Sequence, residues 1–218
     1  MYVPAHFKED RIEVLHAMMQ ETAIGSLVTA GMTGADAGFE ASHVPMLIDP
    51  GPGPFGTLRG HVARANPQWR AGGTGKAPAA GIPALVIFLG PNAYITPSWY
   101  AAKRETGKVV PTWNYLAVQA QGPVTFFEDR ERLRDIVTRL TQRHEGSRAA
   151  PWAVTDAPAD YIEAMLKAIV GFELPIARLE GKWKLGQNRS AADFAGVRAG
   201  LQAEGADLAK AMEEPGGG

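Results

Sequence analysis

The chain has 218 residues, with 22 basic and 23 acidic side chains, a formal net charge of -1 and no cysteine. Charge balance of this kind leaves no global footprint for DNA, and the missing cysteines exclude disulfides, thiolate metal sites and cysteine nucleophiles. The length suits one large domain; MYVPAHFKEDR at the start lacks the apolar core of a signal peptide, and no apolar run reaches membrane-spanning length, so a soluble, cytoplasmic protein with no membrane partner is expected.

In chain order, residues 8–22 (KEDRIEVLHAMMQET) predict an amphipathic helix with Ile12, Leu15, Met18 and Met19 on one face. Three short apolar runs follow: Ile24–Ala30, His43–Ile48 after a Gly-rich turn, and Gly56–Ala63 after DPGPGP. Their lengths and punctuation are those of antiparallel strands. Between 64 and 83, ARANPQW reads as a short helix and AGGTGKAPAAGIP as a loop. The GTGKA inside that loop is like the end of a phosphate-binding P-loop, but Ala77 stands at the Ser/Thr position and Arg70 at the first Gly position, which excludes the motif.

Ala84–Leu89 then reads as a buried strand, followed by strand, loop and strand from Tyr94 to Tyr115. The last of these continues through Ala117–Phe127 with a bend or bulge at Gly122-Pro123. Helices are expected over Asp129–His144, with Leu133, Ile136, Val137 and Leu140 on one face, and over Asp160–Val170, with Ile162, Met165, Leu166 and Ile169 inward. Phe172–Leu185 alternates as a final strand, and a short helix from Ser190 to about Leu201 aligns Phe194, Val197 and Leu201. Residues 1–201 thus form one domain and residues 202–218 a weakly helical, fraying tail. Strands that precede most helices and are joined by short turns indicate an α+β fold: a mainly antiparallel sheet of six or seven strands closing into a small barrel with peripheral helices.

The stretch YITPSWYAAKRETGKVVPTWNY (94–115) concentrates aromatics and small hydroxyls, among them Thr96, Ser98, Trp99, Thr112 and Trp113, around a loop bearing Lys103, Arg104 and Lys108. A planar, polar, anionic ligand needs this mixture of stacking surface, hydroxyls and cations, although aromatics closing a barrel would look the same. Three further polar groups stand out. In Gly60-His61-Val62-Ala63-Arg64-Ala65-Asn66-Pro67, Gly60 allows close backbone approach, while His61, Arg64 and Asn66 offer donors to a phosphate; the plain alternative is an Arg paired to a carboxylate and an Asn capping a turn. Ser42-His43-Val44-Pro45-Met46 fits an edge strand or a ligand-facing one. Gly181–Arg189 is basic and amide-rich, either a ligand contact or a solvated turn before a helix cap. No histidine pair has metal-ligand spacing, no GxSxG or strand-following GxGxxG is present, and no general acid or base stands out as catalytic.

Taken together, MYVPAHF, GHVARANPQW, YITPSWYAAK, VPTWNY, LTQRHE, PWAV and GFELPIARLEGKWKLGQNR resemble the PaiB-like proteins, also described as FMN-binding negative transcriptional regulators. The resemblance spans Met1 to about Leu201. It implies a split β-barrel related to pyridoxamine phosphate oxidases and flavin reductases, working as a homodimer with FMN in a cleft between subunits. It places the flavin phosphate near His61, Arg64 and Asn66, beside the close approach that Gly60 allows, and the ring along His43, Val44 and Pro45 and near Thr96, Ser98 and Trp99. Thr112, Trp113 and Asn114, with Lys184, Gln187, Asn188 and Arg189, would come from the second subunit. A dimer also follows from the difficulty of bringing Trp113 and the Lys184–Arg189 segment onto the face of Arg64 within one barrel. Three departures are visible: Gly186 where the family usually has Ser, which would weaken one ligand hydrogen bond, Phe194 where Arg is common, and a longer Gly72–Pro83 loop.

The function so implied is FMN-dependent negative regulation of transcription. Two alternatives stand beside it: a flavin-dependent oxidoreductase that binds no DNA, and a barrel of the same type holding haem. No helix-turn-helix pattern is present, so DNA contact would fall to a basic stripe formed by the Lys103, Arg104 and Lys108 loops of a dimer.

Overall fold

The structure is a computed structural model and describes residues 1–30, 38–51, 53–70 and 81–212. Its strands are β1 (Lys8–Glu9), β2 (Ile24–Ala30), β3 (Phe39–Asp49), β4 (Thr57–Ala63), β5 (Ile82–Ile95), β6 (Thr112–Phe127), β7 (Ile169–Pro175) and β8 (Arg178–Lys184). Its helices are α1 (Ile12–Thr22), α2 (Ala102–Glu105), α3 (Arg130–Glu145), α4 (Ala159–Lys167), α5 (Ala191–Ala203) and α6 (Leu208–Ala211). The eight strands form one sheet of order β1-β8-β6-β5-β2-β3-β4-β7, and β6 also pairs β7, so that six strands return on themselves. The fold is the expected α+β antiparallel split barrel with helices outside it. The Gly-rich turn before β3, most of the 71–83 loop with its GTGKA, and the last six residues of the tail lie outside the described residues.

Two compact units make up the chain: His16–Phe88 with Gln119–Leu179, and Met1–Leu15 with Leu89–Val118 and the segment from Glu180 onward. The first holds the closure, Thr125↔Glu173, Phe126↔Phe172 and Phe127↔Gly171. Side chains alternate across its strands: Leu27, Leu58, Val62, Val86, Phe88, Val124, Val170, Phe172 and Leu174 are buried inside. Gly60 lies opposite Phe172. A Cβ on Gly60 would stand 2.7 Å from the Phe172 ring, so this glycine makes room for the core and not for a ligand.

Helix α3, capped by Asp129 accepting from the Arg132 N–H, covers the outside of this unit. Leu133 packs with Val154, Ile162 and Leu166, while Ile136 and Leu140 meet Leu47. Above that contact runs a charge network. Asp49 accepts from Arg59 at 2.6 Å and from Arg139, and Glu173 pairs with Arg132 at 2.7 Å and Arg59 at 3.7 Å.

In the other unit, β1 and β8 pair through Lys8↔Lys182 and Glu9↔Gly181. A Cβ on Gly200 would stand 2.3 Å from the Trp99 indole, so the ring lies flat on α5. Ser190 caps α5 by accepting from the Asp193 N–H.

Several boundaries differ from the sequence reading. Residues 8–9 are strand, and Ile12, placed on the buried face of the first helix, is exposed. The two strands expected from Ala84 and from Tyr94 are one, β5, which carries Pro91 inside it. The second helix expected to reach Val170 ends at Lys167, because Ile169 and Val170 pair with Ala63 and Val62. Phe172–Leu185 is two strands: the Ile176 and Ala177 N–H groups leave the ladder for the Gly56 and Gln121 carbonyls. The tail expected to fray contains α6, with Leu208, Ala209 and Met212 buried.

Replacing Asp49 with Asn removes the charge that Arg59 and Arg139 share, and should lower unfolding stability by about 1–3 kcal/mol in urea titration. Arg148→Gln, at an exposed pair with Glu145, should stay within about 0.5 kcal/mol of the parent.

Candidate cofactor site

In the barrel unit the outer face of β2, β3 and β4 carries the sequence-predicted residues. Ser26↔His43 and Ile24↔Pro45 are cross-strand neighbours, and the Ser26 hydroxyl and His43 Nδ1 are 2.9 Å apart. His43 and Pro45 are exposed, whereas Val44, opposite Gly25, turns into the core. Around them the same face is apolar, with Val28 opposite Leu85 and Ile87 opposite Ser26. His61 has its Nδ1 buried with no hydrogen-bond partner. Burial pushes the His61 pKa below its ordinary value, so the ring stays neutral. An orphan buried nitrogen of this kind costs about 1–3 kcal/mol until something meets it.

Arg64 and Asn66 are committed within the protein. Arg64 pairs with Glu128, and its other nitrogens donate to the Lys167 carbonyl at 2.5 Å and the Ile169 carbonyl at 3.3 Å. It fastens the end of β4 to the junction of α4 and β7. Asn66 accepts from the Gln68 N–H and donates to the Ser42 hydroxyl at 2.7 Å, capping the turn Pro67–Arg70. Of the two readings of this motif, the carboxylate pair and the turn cap describe its contacts.

In the other unit, one face of β5, β6 and β8 gathers a different set. Tyr94 and Trp113, both about half exposed, meet edge to face at 6.3 Å between centroids. Lys184 Nζ donates to the Thr112 hydroxyl and the Trp113 carbonyl, each at 2.6 Å. Lys182 is buried, lies 5.3 Å from the Tyr115 ring centre and donates to the Tyr2 carbonyl. The Arg189 guanidinium stacks 4.8 Å above the buried Tyr100 ring. Burial, then the charges of Lys182 and Arg189, push the Lys184 pKa down.

Other predicted residues serve the framework here. Thr96 caps the turn Pro97–Trp99 through the Ser98 N–H, Ser98 accepts from Lys103, and Trp99 rests on α5. Gln187 closes the turn after β8 by accepting from the Leu185 N–H and donating to the Trp183 carbonyl. Asn114 is buried and Asn188 is exposed. Gly186 has φ +87, where a side chain would be strained, so glycine is the natural residue in this turn. Lys182, Tyr94 and Tyr115 lie in the two stretches that the sequence marks as ligand-like, but not among the individual contacts expected for the cofactor. Their signal was strand alternation, which puts Lys182 with Lys184 and Trp113 with Tyr115.

The family model described as "Putative FMN-binding domain" matches residues 1–178. An uncharacterized protein of Emericella nidulans is 34% identical over 239 residues, covering 97% of this chain and 94% of the relative. "Protease synthase and sporulation protein PAI 2" of Bacillus subtilis is 33% identical over 214 residues, covering 98% of this chain and 95% of that protein. Among solved structures, the FAD and heme binding protein of Mycobacterium smegmatis superposes with a TM-score of 0.55 at 16% identity, over 85% of this chain and 77% of that one, a likeness of fold.

The neutral His61 sets a pH dependence. Its folded pKa lies below the ordinary 6.5, so the unfolded chain takes up the proton first as pH falls. The contribution is fully present above that value and declines below it, until the folded ring also protonates. Urea midpoints measured between about pH 5 and 7.5 should fall on the acid side, and His61→Gln should flatten that slope.

Proposed function

This chain belongs to the FMN-binding domain family and takes FMN as its cofactor; we propose that it works as a cytoplasmic homodimer that regulates transcription negatively. The regulatory part is supported by one observation, the end-to-end relationship to the Bacillus subtilis protein whose name refers to protease synthesis and sporulation.

The residues present fit a flavin. His61 Nδ1 is a buried polar atom awaiting a partner, Tyr94 and Trp113 supply stacking surface, and among the described residues no carboxylate lies against Lys184 or Arg189. In the proposed dimer the outer barrel face of one subunit, with His43, Pro45 and His61, takes one side of the cofactor. Thr112, Trp113, Lys184 and Arg189 of a second subunit take the other. Bound FMN supplies reversible electron transfer, while these side chains orient it and set its electrostatic surroundings. The apolar outer face around Ile24, Val28, Leu85 and Ile87 supplies the surface that a second copy would cover.

A second reading, a flavin-dependent oxidoreductase acting without DNA, draws on the formal charge of -1. Gel shifts at two salt concentrations separate the two: direct regulation requires affinity that falls with salt, and its absence leaves the enzyme reading.

The purified protein should be yellow, or should quench added FMN at micromolar concentration, and should scatter light as a dimer. Ile24→Lys, which charges the outer face, should shift the mass to that of a monomer and weaken FMN binding together with it.

A further inference from the structure

The described arginines that reach carboxylates do so mainly on the barrel unit: Arg59 and Arg139 on Asp49, Arg64 on Glu128, Arg132 on Glu173. Lys182, Lys184 and Arg189 differ. All three are at least half-buried, and among the described residues none has a carboxylate within ion-pair distance. Asp193, the acid nearest to Arg189 along the chain, is buried and turned to the Ala102 N–H. Glu9 is held by Arg11, and Glu180 by the N-terminal amine.

Like charges held together and partly removed from water are costly, and the cost is relieved by an anion. Exposed cations such as Arg104 and Lys108 carry no such cost, because water solvates them. The donors are also uncommitted. Lys184 spends two of its three N–H groups on Thr112 and Trp113, and the Arg189 guanidinium has a ring beneath it and no acceptor among the described residues. Arg64, by contrast, has every nitrogen engaged.

We propose that Lys184 and Arg189, backed by Lys182, form the seat of a phosphate monoester, and that this seat, not Arg64, takes the phosphate of FMN. The assignment rests on the FMN reading for the identity of the ester, but not for the seat itself. A dianion there receives charge-assisted hydrogen bonds from Lys184 and Arg189 and cancels the repulsion among the three cations. Tyr94 and Trp113 on the same sheet face leave an aromatic surface beside it for the group the phosphate carries.

The test compares FMN with riboflavin, which lacks the phosphate, by fluorescence quenching in the parent, Lys184→Met, Arg189→Gln and Arg64→Gln. Lys184→Met keeps most of the apolar stem, and Lys184→Arg is the rescue. The parent should prefer FMN. That preference should fall about tenfold or more in Lys184→Met and Arg189→Gln, be largely restored in Lys184→Arg, and survive in Arg64→Gln. A preference untouched at Lys184 and Arg189, or lost at Arg64 alone, overturns the seat.

Inorganic phosphate provides a second readout that needs no flavin. It should raise the melting temperature of the parent and not of the Lys184→Met, Arg189→Gln double variant, at matched ionic strength. If neither flavin binds the parent but phosphate still discriminates in this way, the seat stands and serves another phosphate ester, while the FMN reading fails. If phosphate raises the two melting temperatures equally, or neither, in a protein that also shows no FMN preference, the seat is refuted.

Discussion

Closure of the sheet is the constraint on which the rest of the barrel unit depends, and it is made by three residues, Thr125–Phe127, lying against Gly171–Glu173. A six-stranded ring leaves no free edge there, and it forces neighbouring side chains to opposite faces. The consequences are visible where β4 meets β7. Gly60 faces the interior opposite Phe172, and His61 faces outward opposite Gly171. A Cβ on Gly171 would in turn stand 2.5 Å from the Phe127 ring. Each glycine therefore admits an aromatic ring on its own face, and β4 presents His61 outward.

Electrostatics divides the two units by role. In the barrel unit the arginines are structural: they bind α3 to the sheet through Asp49 and Glu173, and they bind the end of β4 to α4 through Glu128 and two carbonyls. Such a network, with each charge paired and hydrogen-bonded, stiffens the outside of the barrel without inviting an anion. In the other unit Lys182, Lys184 and Arg189 meet hydroxyl, carbonyl and ring, and no carboxylate among the described residues. Cations arranged in this way can give a phosphate charge-assisted hydrogen bonds, the property on which the proposed seat rests.

Motif and site were not equally legible. The segment GHVARANPQW is specific enough to mark the family, yet the donors it suggested for a ligand are consumed internally: Arg64 by Glu128, Asn66 by Ser42 and the turn it caps. No local pattern distinguishes an arginine that meets a carboxylate 64 positions away from one that meets a ligand. The segment GKWKLGQNR was legible as basic. That the flanking acids turn to other partners could be read only from the folded chain: Glu180, directly before the segment, meets the N-terminal amine, and Asp193, four positions beyond Arg189, accepts from the Ala102 N–H.

Binary patterning and turn residues by themselves determined the core helix α3 with Leu133, Ile136 and Leu140 inward, the limits of β2 and the antiparallel α+β class, while the resemblance of several motifs marked the family. Those features depend on periodicity and on short motifs, both local quantities. Tertiary structure decided where α4 stops, that β7 and β8 are separate strands, that the tail packs through Leu208 and Met212, and which cations remain unpaired. Each of those outcomes is a competition between a local preference and a distant partner, such as Ala63 for Ile169 or Gly56 for Ile176, and the winner depends on which groups closure of the barrel brings within hydrogen-bond reach.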